Sequence, residues 1–142
     1  RYSQHIFQEF IIGKEFSIDL FADINGVPKL IVPRERLSVR GGEVMTSRIE
    51  MNSSIIVSVK KLSRKLGLTG PCNIQGIQDK NGQFFFTDLN LRFGSGSIHT
   101  IAAGGNIPLM ICQELTRQQF LNPVIKDKSI MTRYPENIFR HS

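Results

Sequence analysis

The residues with the clearest chemical potential are Asp88, Asn90 and Arg92, in the run Thr87-Asp88-Leu89-Asn90-Leu91-Arg92-Phe93-Gly94-Ser95-Gly96. Polar and apolar residues alternate there with a period of two, the pattern of a half-buried strand. Asp88, Asn90 and Arg92 therefore leave on one face, and Leu89, Leu91 and Phe93 on the other. Carboxylate and amide oxygens suit a hard cation such as Mg²⁺, and a guanidinium beside them suits phosphate or carboxylate. The Gly-Ser-Gly run lets the backbone turn sharply and approach a ligand closely. The same alternation marks any solvent-facing antiparallel strand, so a plain wet face is the competing reading.

A partner strand is written upstream. Pro71 to Asp79 leads into Lys80-Asn81-Gly82-Gln83, and Asn-Gly between two apolar runs is a strong hairpin signal. A two-residue type I′ turn at Asn81-Gly82 pairs Lys80 with Gln83. Gln75 then lies opposite Asp88, and Asn73 opposite Asn90, bordered by Ile77 and Phe86. A different turn register would separate Gln75 from Asp88.

The 142 residues are enough for one domain with a core, and 40% hydrophobic with 21% charged content is ordinary for a globular protein. No apolar run approaches the length of a membrane span, and no signal-peptide pattern appears. Cys72 and Cys112 form neither a disulfide framework nor a zinc spacing. Cys72 reads as a buried free thiol, and a reducing, cytoplasmic setting is the expectation. The net charge of +6 invites an anionic partner, a nucleotide, nucleic acid or acidic domain. No aromatic-rich basic strand or zinc-finger pattern supports nucleic acid, which is disfavoured. Homo-oligomerisation stays open. The chain opens on Arg1, so it is read as a piece of something longer.

The elements that must position these residues follow in order. Gln4 to Ile12 reads as a strand ending near Gly13. Glu15 to Ala22 reads as a second, with Phe16, Ile18, Leu20 and Ala22 on one face and Glu15, Ser17, Asp19 and Phe21 on the other. Asp23 to Gly26 is a turn into a strand at Lys29 to Pro33. A basic, glycine-bearing loop follows from Arg34 to Glu43; Arg34, Arg36 and Arg40 around Gly41-Gly42 would clamp phosphate or form a solvated loop. Val44 to Met51 returns as a strand. Ile55, Val59, Leu62 and Leu66 make an apolar stripe on a helix from Ser53 to Leu66, capped at Asn52, Ser53 or Ser54 and ended at Gly67. Lys60, Lys61, Arg64 and Lys65 read as its solvated face. Ser97 to Ala103 is a short helix, with His99 as a packing or capping residue. Asn106 caps another helix to about Gln119, with Ile107, Met110, Ile111 and Leu115 inward, and Ser129 to Tyr134 is a last strand. The expected class is α+β, an antiparallel sheet flanked by helices mainly on one side.

The succession EFIIGKE, VPRERLSVRGGE, an amphipathic helix, LGLTGPCNIQ, a turn, DLNLRFGSG and AAGGNIP resembles the C-terminal half of an ATP-grasp ligase, with the nearest likeness to the carbamoyl phosphate synthase large chain. It covers nearly all of residues 1–142. The resemblance implies ATP held between two α+β subdomains with Mg²⁺ on its phosphates, and a small carboxylate substrate phosphorylated to an acyl phosphate that an amine or other nucleophile attacks. It places the adenine hinge at Gln8-Glu9-Phe10-Ile11, with Glu9 near the nucleoside, the Ile11 backbone at the adenine edge and Glu15 on the ribose. Gln75 and Asp88 match the metal ligands, and Asn90 a second-metal or supporting ligand. Arg92 matches the residue that meets the transferred phosphoryl group and the acyl substrate. Arg40 falls at a phosphate-facing basic position.

Two departures stand out. The family's usual Glu-x-Asn-Pro-Arg is Asp88-Leu89-Asn90-Leu91-Arg92 here, one methylene shorter at the acid. Leu91, in place of the proline, is expected to face the core. The 142 residues contain neither a glycine-rich lid nor a lysine-bearing N-terminal half, so this half alone is expected to bind nucleotide weakly and not to turn over. The alternative reading is a non-catalytic binding or assembly module that keeps the fold.

Overall fold

The computed structural model describes residues 5–134, 136 and 139. β1 (Gly13–Ala22) and β2 (Pro28–Arg40) form a hairpin, followed by β3 (Glu43–Ile49), α1 (Ser53–Leu66), β4 (Gly70–Asp79), β5 (Phe84–Asn90), α2 (Ser97–Ala102), α3 (Ile107–Leu115) and β6 (Ile130–Thr132). The strands make one six-stranded sheet in the order β5-β4-β1-β2-β3-β6, with every neighbouring pair antiparallel.

Alternation along β1 gives each face its own core. Phe16, Ile18 and Leu20 pack with Cys72, Ile74, Ile55 and Val59 beneath α1. Phe21, Leu30 and Val32 pack with Ala103, Ile107 and Met110 beneath α2 and α3. Adjacent strand residues point to opposite faces, so helices cover both sides of the sheet and not mainly one. The second helical layer covers only part of its face; the rest of that face is left for the polar residues of β1, β2, β4 and β5.

The first turn forms where expected. Asp23 Oδ1 accepts from the backbone N–H groups of Asn25 and Val27, at 3.0 and 2.8 Å. Residues 5–12 do not form a strand. β4 ends at Asp79, opposite Gly13, so earlier residues have no ladder to join. Gln4 lies outside the described residues. The expected basic loop is also different: Arg34 to Arg40 continues β2, and Arg40 pairs with Glu43 across a two-residue turn. Gly41 and Gly42 sit at φ 59° and 82°, the left-handed pair that a tight hairpin of this twist demands.

α1 obeys its sequence signals. Asn52 caps it by accepting from the N–H groups of Ser54 and Ile55, and Gly67 ends it at φ 62°. Ile55 and Val59 are buried, whereas Leu66 is 52% exposed at the last turn. α3 is shorter than its periodicity suggests. It stops at Leu115, which is 78% exposed rather than inward, and Arg117 turns left-handed at φ 55°. The last strand contracts to Ile130–Thr132 and pairs with β3.

The β4–β5 hairpin reaches its register by another route. The Asp79 N–H donates to Gln83 O, and Gly82, at φ 83°, donates back to Asp79 O, so the loop is three residues long. That shifts the pairing near the turn by one, to Gln78 with Phe84 and Gly76 with Phe86. A β-bulge at Thr87 then takes up the extra residue, and Gln75 lies opposite Asp88, Ile74 opposite Leu89 and Asn73 opposite Asn90. β5 is an edge strand. The cluster under α1 reaches across the sheet only as far as Phe84, so Leu91, expected in the core, is 70% exposed.

Replacing Asn52 with Ala leaves two N–H groups of the first helical turn without their acceptor. Urea unfolding should show a loss of about 1 kcal/mol, with the slope unchanged.

Candidate functional site

The uncovered part of the sheet holds a cavity of about 360 Å³. Its wall takes Ser17 from β1, Arg34 and Arg36 from β2, Gly42 to Val44 from the β2–β3 turn, Asn73 and Gln75 from β4, Asn90 from β5, and Arg92 with Gly94 to Gly96 beyond it. Three strand pairings bring these residues to one face, because Ser17 lies opposite both Arg34 and Gln75, and Gln75 opposite Asp88.

Beneath the cavity lies Asp19, a charged residue in the buried stretch of β1 and 1% exposed. Arg34 donates to it through Nε at 2.9 Å and Nη2 at 3.3 Å. Asn73 Nδ2, Ser97 Oγ and Thr100 Oγ1 donate at 3.0, 2.7 and 2.5 Å. One carboxylate thus ties β1 to β2, β4 and α2. Close approach of the loop above it depends on two glycines. A Cβ on Gly94 would stand 2.7 Å from the Asn73 side chain, and one on Gly96 2.4 Å from Arg34 Nη1.

Arg36 links the neighbouring wall. Its Nη1 donates to Gln75 Oε1 at 3.3 Å and lies 3.3 Å from Glu15 Oε2, and its Nη2 donates to Gly42 O at 3.1 Å. Arg92 Nη1 donates to Phe93 O at 2.8 Å. Arg133 fixes the rim, donating to Ser95 O at 2.8 Å and lying 3.7 Å from Glu43.

The residues singled out in the sequence divide into groups. Gln75, Asn90 and Arg92 share the cavity wall. Asp88 is paired to Gln75 but exposed and off that wall; its carboxylate accepts from Leu89 N at 2.9 Å and Asn90 Nδ2 at 2.5 Å. Arg40 is exposed at the hairpin end and also off the wall. Of the three expected clamp arginines, Arg34 and Arg36 are the ones that line the cavity. Glu9 and Ile11 line a second, more apolar cavity of about 460 Å³ with Phe10, Ile12, Asp79, Lys80 and Phe85. Glu15 lies at the start of β1, in contact with Arg36. Sequence reasoning placed Asp19, Ser97 and Thr100 in their elements without assigning them a task. The acid inside FSIDLFA was the available signal.

Among the described residues no cluster of three His, Cys, Asp or Glu side chains forms a metal cage. The donor set of one carboxylate and two amides fits Mg²⁺ only as a partial shell, the kind completed by waters and substrate phosphates. No helix of the described residues is long and apolar enough to cross a membrane.

The family described as "ATP-grasp in the biosynthetic pathway with Ter operon" matches residues 1–138. The chain belongs to the ATP-grasp family. No curated protein matches it in sequence. In structure, this ATP-grasp chain is similar to a biotin carboxylase from Campylobacter jejuni in complex with β-γ-ATP, with TM-score 0.69 and 14% identity over 89% of this chain and 31% of the other. It is also similar to N5-carboxyaminoimidazole synthetase from Staphylococcus aureus complexed with ADP, with TM-score 0.68 and 14% identity over 88% and 36%. A third neighbour is the phosphoribosylaminoimidazole carboxylase ATPase subunit from Aquifex aeolicus, with TM-score 0.64 and 13% identity over 80% and 36%. The chain spans about a third of these neighbours' length. They carry the ATP-grasp ligase fold; the likeness to carbamoyl phosphate synthase rests on the motifs alone.

Two measurements test this arrangement. Asp19→Ala strands Arg34 as a buried cation and should cost about 3–5 kcal/mol in urea unfolding. His99, buried between Ser47 Oγ at 2.8 Å and Ser129 Oγ at 3.2 Å, has its pKa lowered from 6.5, first by burial and then by the Arg34 charge, with Asp19 opposing. The unfolded chain therefore binds this proton more readily. The contribution is complete above the unfolded pKa of 6.5 and declines as pH falls towards the lower folded value. Stability measured from pH 7 to 5 should fall less steeply in His99→Gln than in the parent.

Proposed function

We propose that this chain is the nucleotide- and Mg²⁺-binding half of an ATP-dependent carboxylate ligase, working through an acyl phosphate that an amine or similar nucleophile attacks. The observation that carries the reading is the cross-strand patch of Gln75, Asp88 and Asn90 beside a cavity walled by Arg34, Arg36 and Arg92. Phosphoryl transfer asks a protein for alignment and charge stabilisation more than covalent help. Gln75, Asp88 and Asn90 would hold Mg²⁺, which when bound offsets charge on the phosphate oxygens. Arg92 would orient the transferred group and the substrate carboxylate, its fork matching both oxygens. Glu9 and the Ile11 backbone, in the apolar second cavity, would take the nucleoside, and Glu15 the ribose. Arg40, off the wall in this structure, would reach phosphate only if the hairpin tip moved inward.

The remainder of the cleft, an N-terminal half of the same ATP-grasp unit, would exclude water from the reacting groups. Alone, the chain would bind nucleotide weakly and not turn over. A cytoplasmic setting fits the free thiols Cys72 and Cys112.

One observation favours the second reading, a non-catalytic module that keeps the fold. The Asp88 carboxylate is bonded within its own strand. ADP release by the complete protein, given a carboxylate and an amine, decides between the two. Asp88→Ala in the complete protein should abolish Mg²⁺-ATP-dependent turnover with an unchanged circular dichroism spectrum; unchanged turnover refutes the metal assignment.

A further inference from the structure

Arg34 has one face left over. Its Nε and Nη2 are held by Asp19, but Nη1 is buried and has no partner among the described residues. Leaving a buried charged donor unmet is costly, so such groups mark positions where something else supplies the acceptor. None of the described residues supplies it. Asp19 is occupied by donors from Arg34, Asn73, Ser97 and Thr100. Glu43, the acid on the cavity wall, leans towards Arg133. The unmet nitrogen lies against Gly96, where a Cβ would stand 2.4 Å from it.

Arg36 stands two residues along β2 on the same face, and its Nε is also buried without a partner among the described residues. The wall thus carries three arginines against one glutamate. Arg92 belongs to the far edge. From β5 to β2 is three strand steps, roughly 14 Å between backbones at about 4.8 Å per step. Arg92 and Arg34 thus reach the cavity wall from backbones three strand steps apart, and an oxyanion paired with Arg92 alone leaves Arg34 Nη1 unmet.

We propose that the Arg34 end is a second oxyanion subsite, and that the acceptor substrate carries two acidic groups: the carboxylate that is activated near Arg92, and a further carboxylate or phosphate that meets Arg34 Nη1 and Arg36 Nε. The word acceptor rests on the ligase reading; the subsite itself does not.

The test uses the 142-residue chain and three probes of related skeleton: butyrate, glutarate and phosphonobutyrate. Calorimetry gives affinity, and the amide shifts of Gly94 to Ser97 give location. At least one two-acid probe should bind about tenfold tighter than butyrate, the ratio that one charge-assisted contact supplies. Comparing glutarate with phosphonobutyrate tells which second acid is preferred. Gly96→Ala, which pushes a methyl group against Nη1, should erase the advantage. Equal binding of all three probes, no binding of any, or an advantage that survives Gly96→Ala overturns the proposal. Should Gly96→Ala fail to fold, Arg36→Lys gives the same decision: it removes the Nε donor, so a reduced advantage supports the subsite and an unchanged one overturns it. Mg²⁺-ADP titrated into the parent chain is read separately. Failure of the complete protein, titrated in the same way, to bind Mg²⁺-ADP would count against the ligase reading while leaving a two-acid preference standing.

Discussion

A single carboxylate organises this molecule. Asp19 sits in the central strand, almost wholly out of water, and gathers donors from β2, β4 and α2. Placing an acid there costs desolvation, which only dense hydrogen bonding and a neighbouring cation offset. What the arrangement provides is position. Arg34 is held on the Asp19 carboxylate, Asn73 is fixed under the glycine loop, and the start of α2 is pinned to the strand face. Without that knot, the wall of the cavity would be a set of long, independent side chains.

The glycine loop is the second half of the same constraint. Ser97 Oγ donates to Asp19 and accepts from the Gly94 N–H at 3.0 Å, so one hydroxyl joins the buried acid to the loop. Gly94 and Gly96 then lie against Asn73 and Arg34 more closely than any residue with a Cβ could. The sheet, the loop and the first turn of α2 therefore act as one rigid piece, which is what a site for aligning reactants requires.

Much of the fold was legible because local signals were strong. Asn52, the Ile55–Val59 stripe and Gly67 each had a defined physical role in α1, and all three operate. Asp23 to Gly26 likewise turns as its side chain dictates. The misreadings arose where long-range context decided. Glycines and arginines at Arg34 to Glu43 looked like a loop, yet the pairing partner β3 extends the strand through them. Apolar residues before Gly13 looked like a strand, yet β4 offers nothing to pair with there. Leu91 and Leu115 had the right period but lay beyond the edge of what the neighbouring layer covers. Of the site, the Gln75, Asn90 and Arg92 grouping was visible in spacing. The anchoring role of Asp19 was not, since its partners come from segments far along the chain.

Thr87 gives the β4–β5 hairpin an unusual property. The three-residue loop and the bulge are opposite one-residue offsets, and between them they isolate the tip of the hairpin from its base. The bulge acts as an expansion joint. Length can be gained or lost at Lys80 to Gly82 and compensated at one point in the edge strand, with the phase of Asp88 and Asn90 preserved. The solvent-facing tip is thereby free to diversify while the chemistry-bearing end of the ladder stays in step.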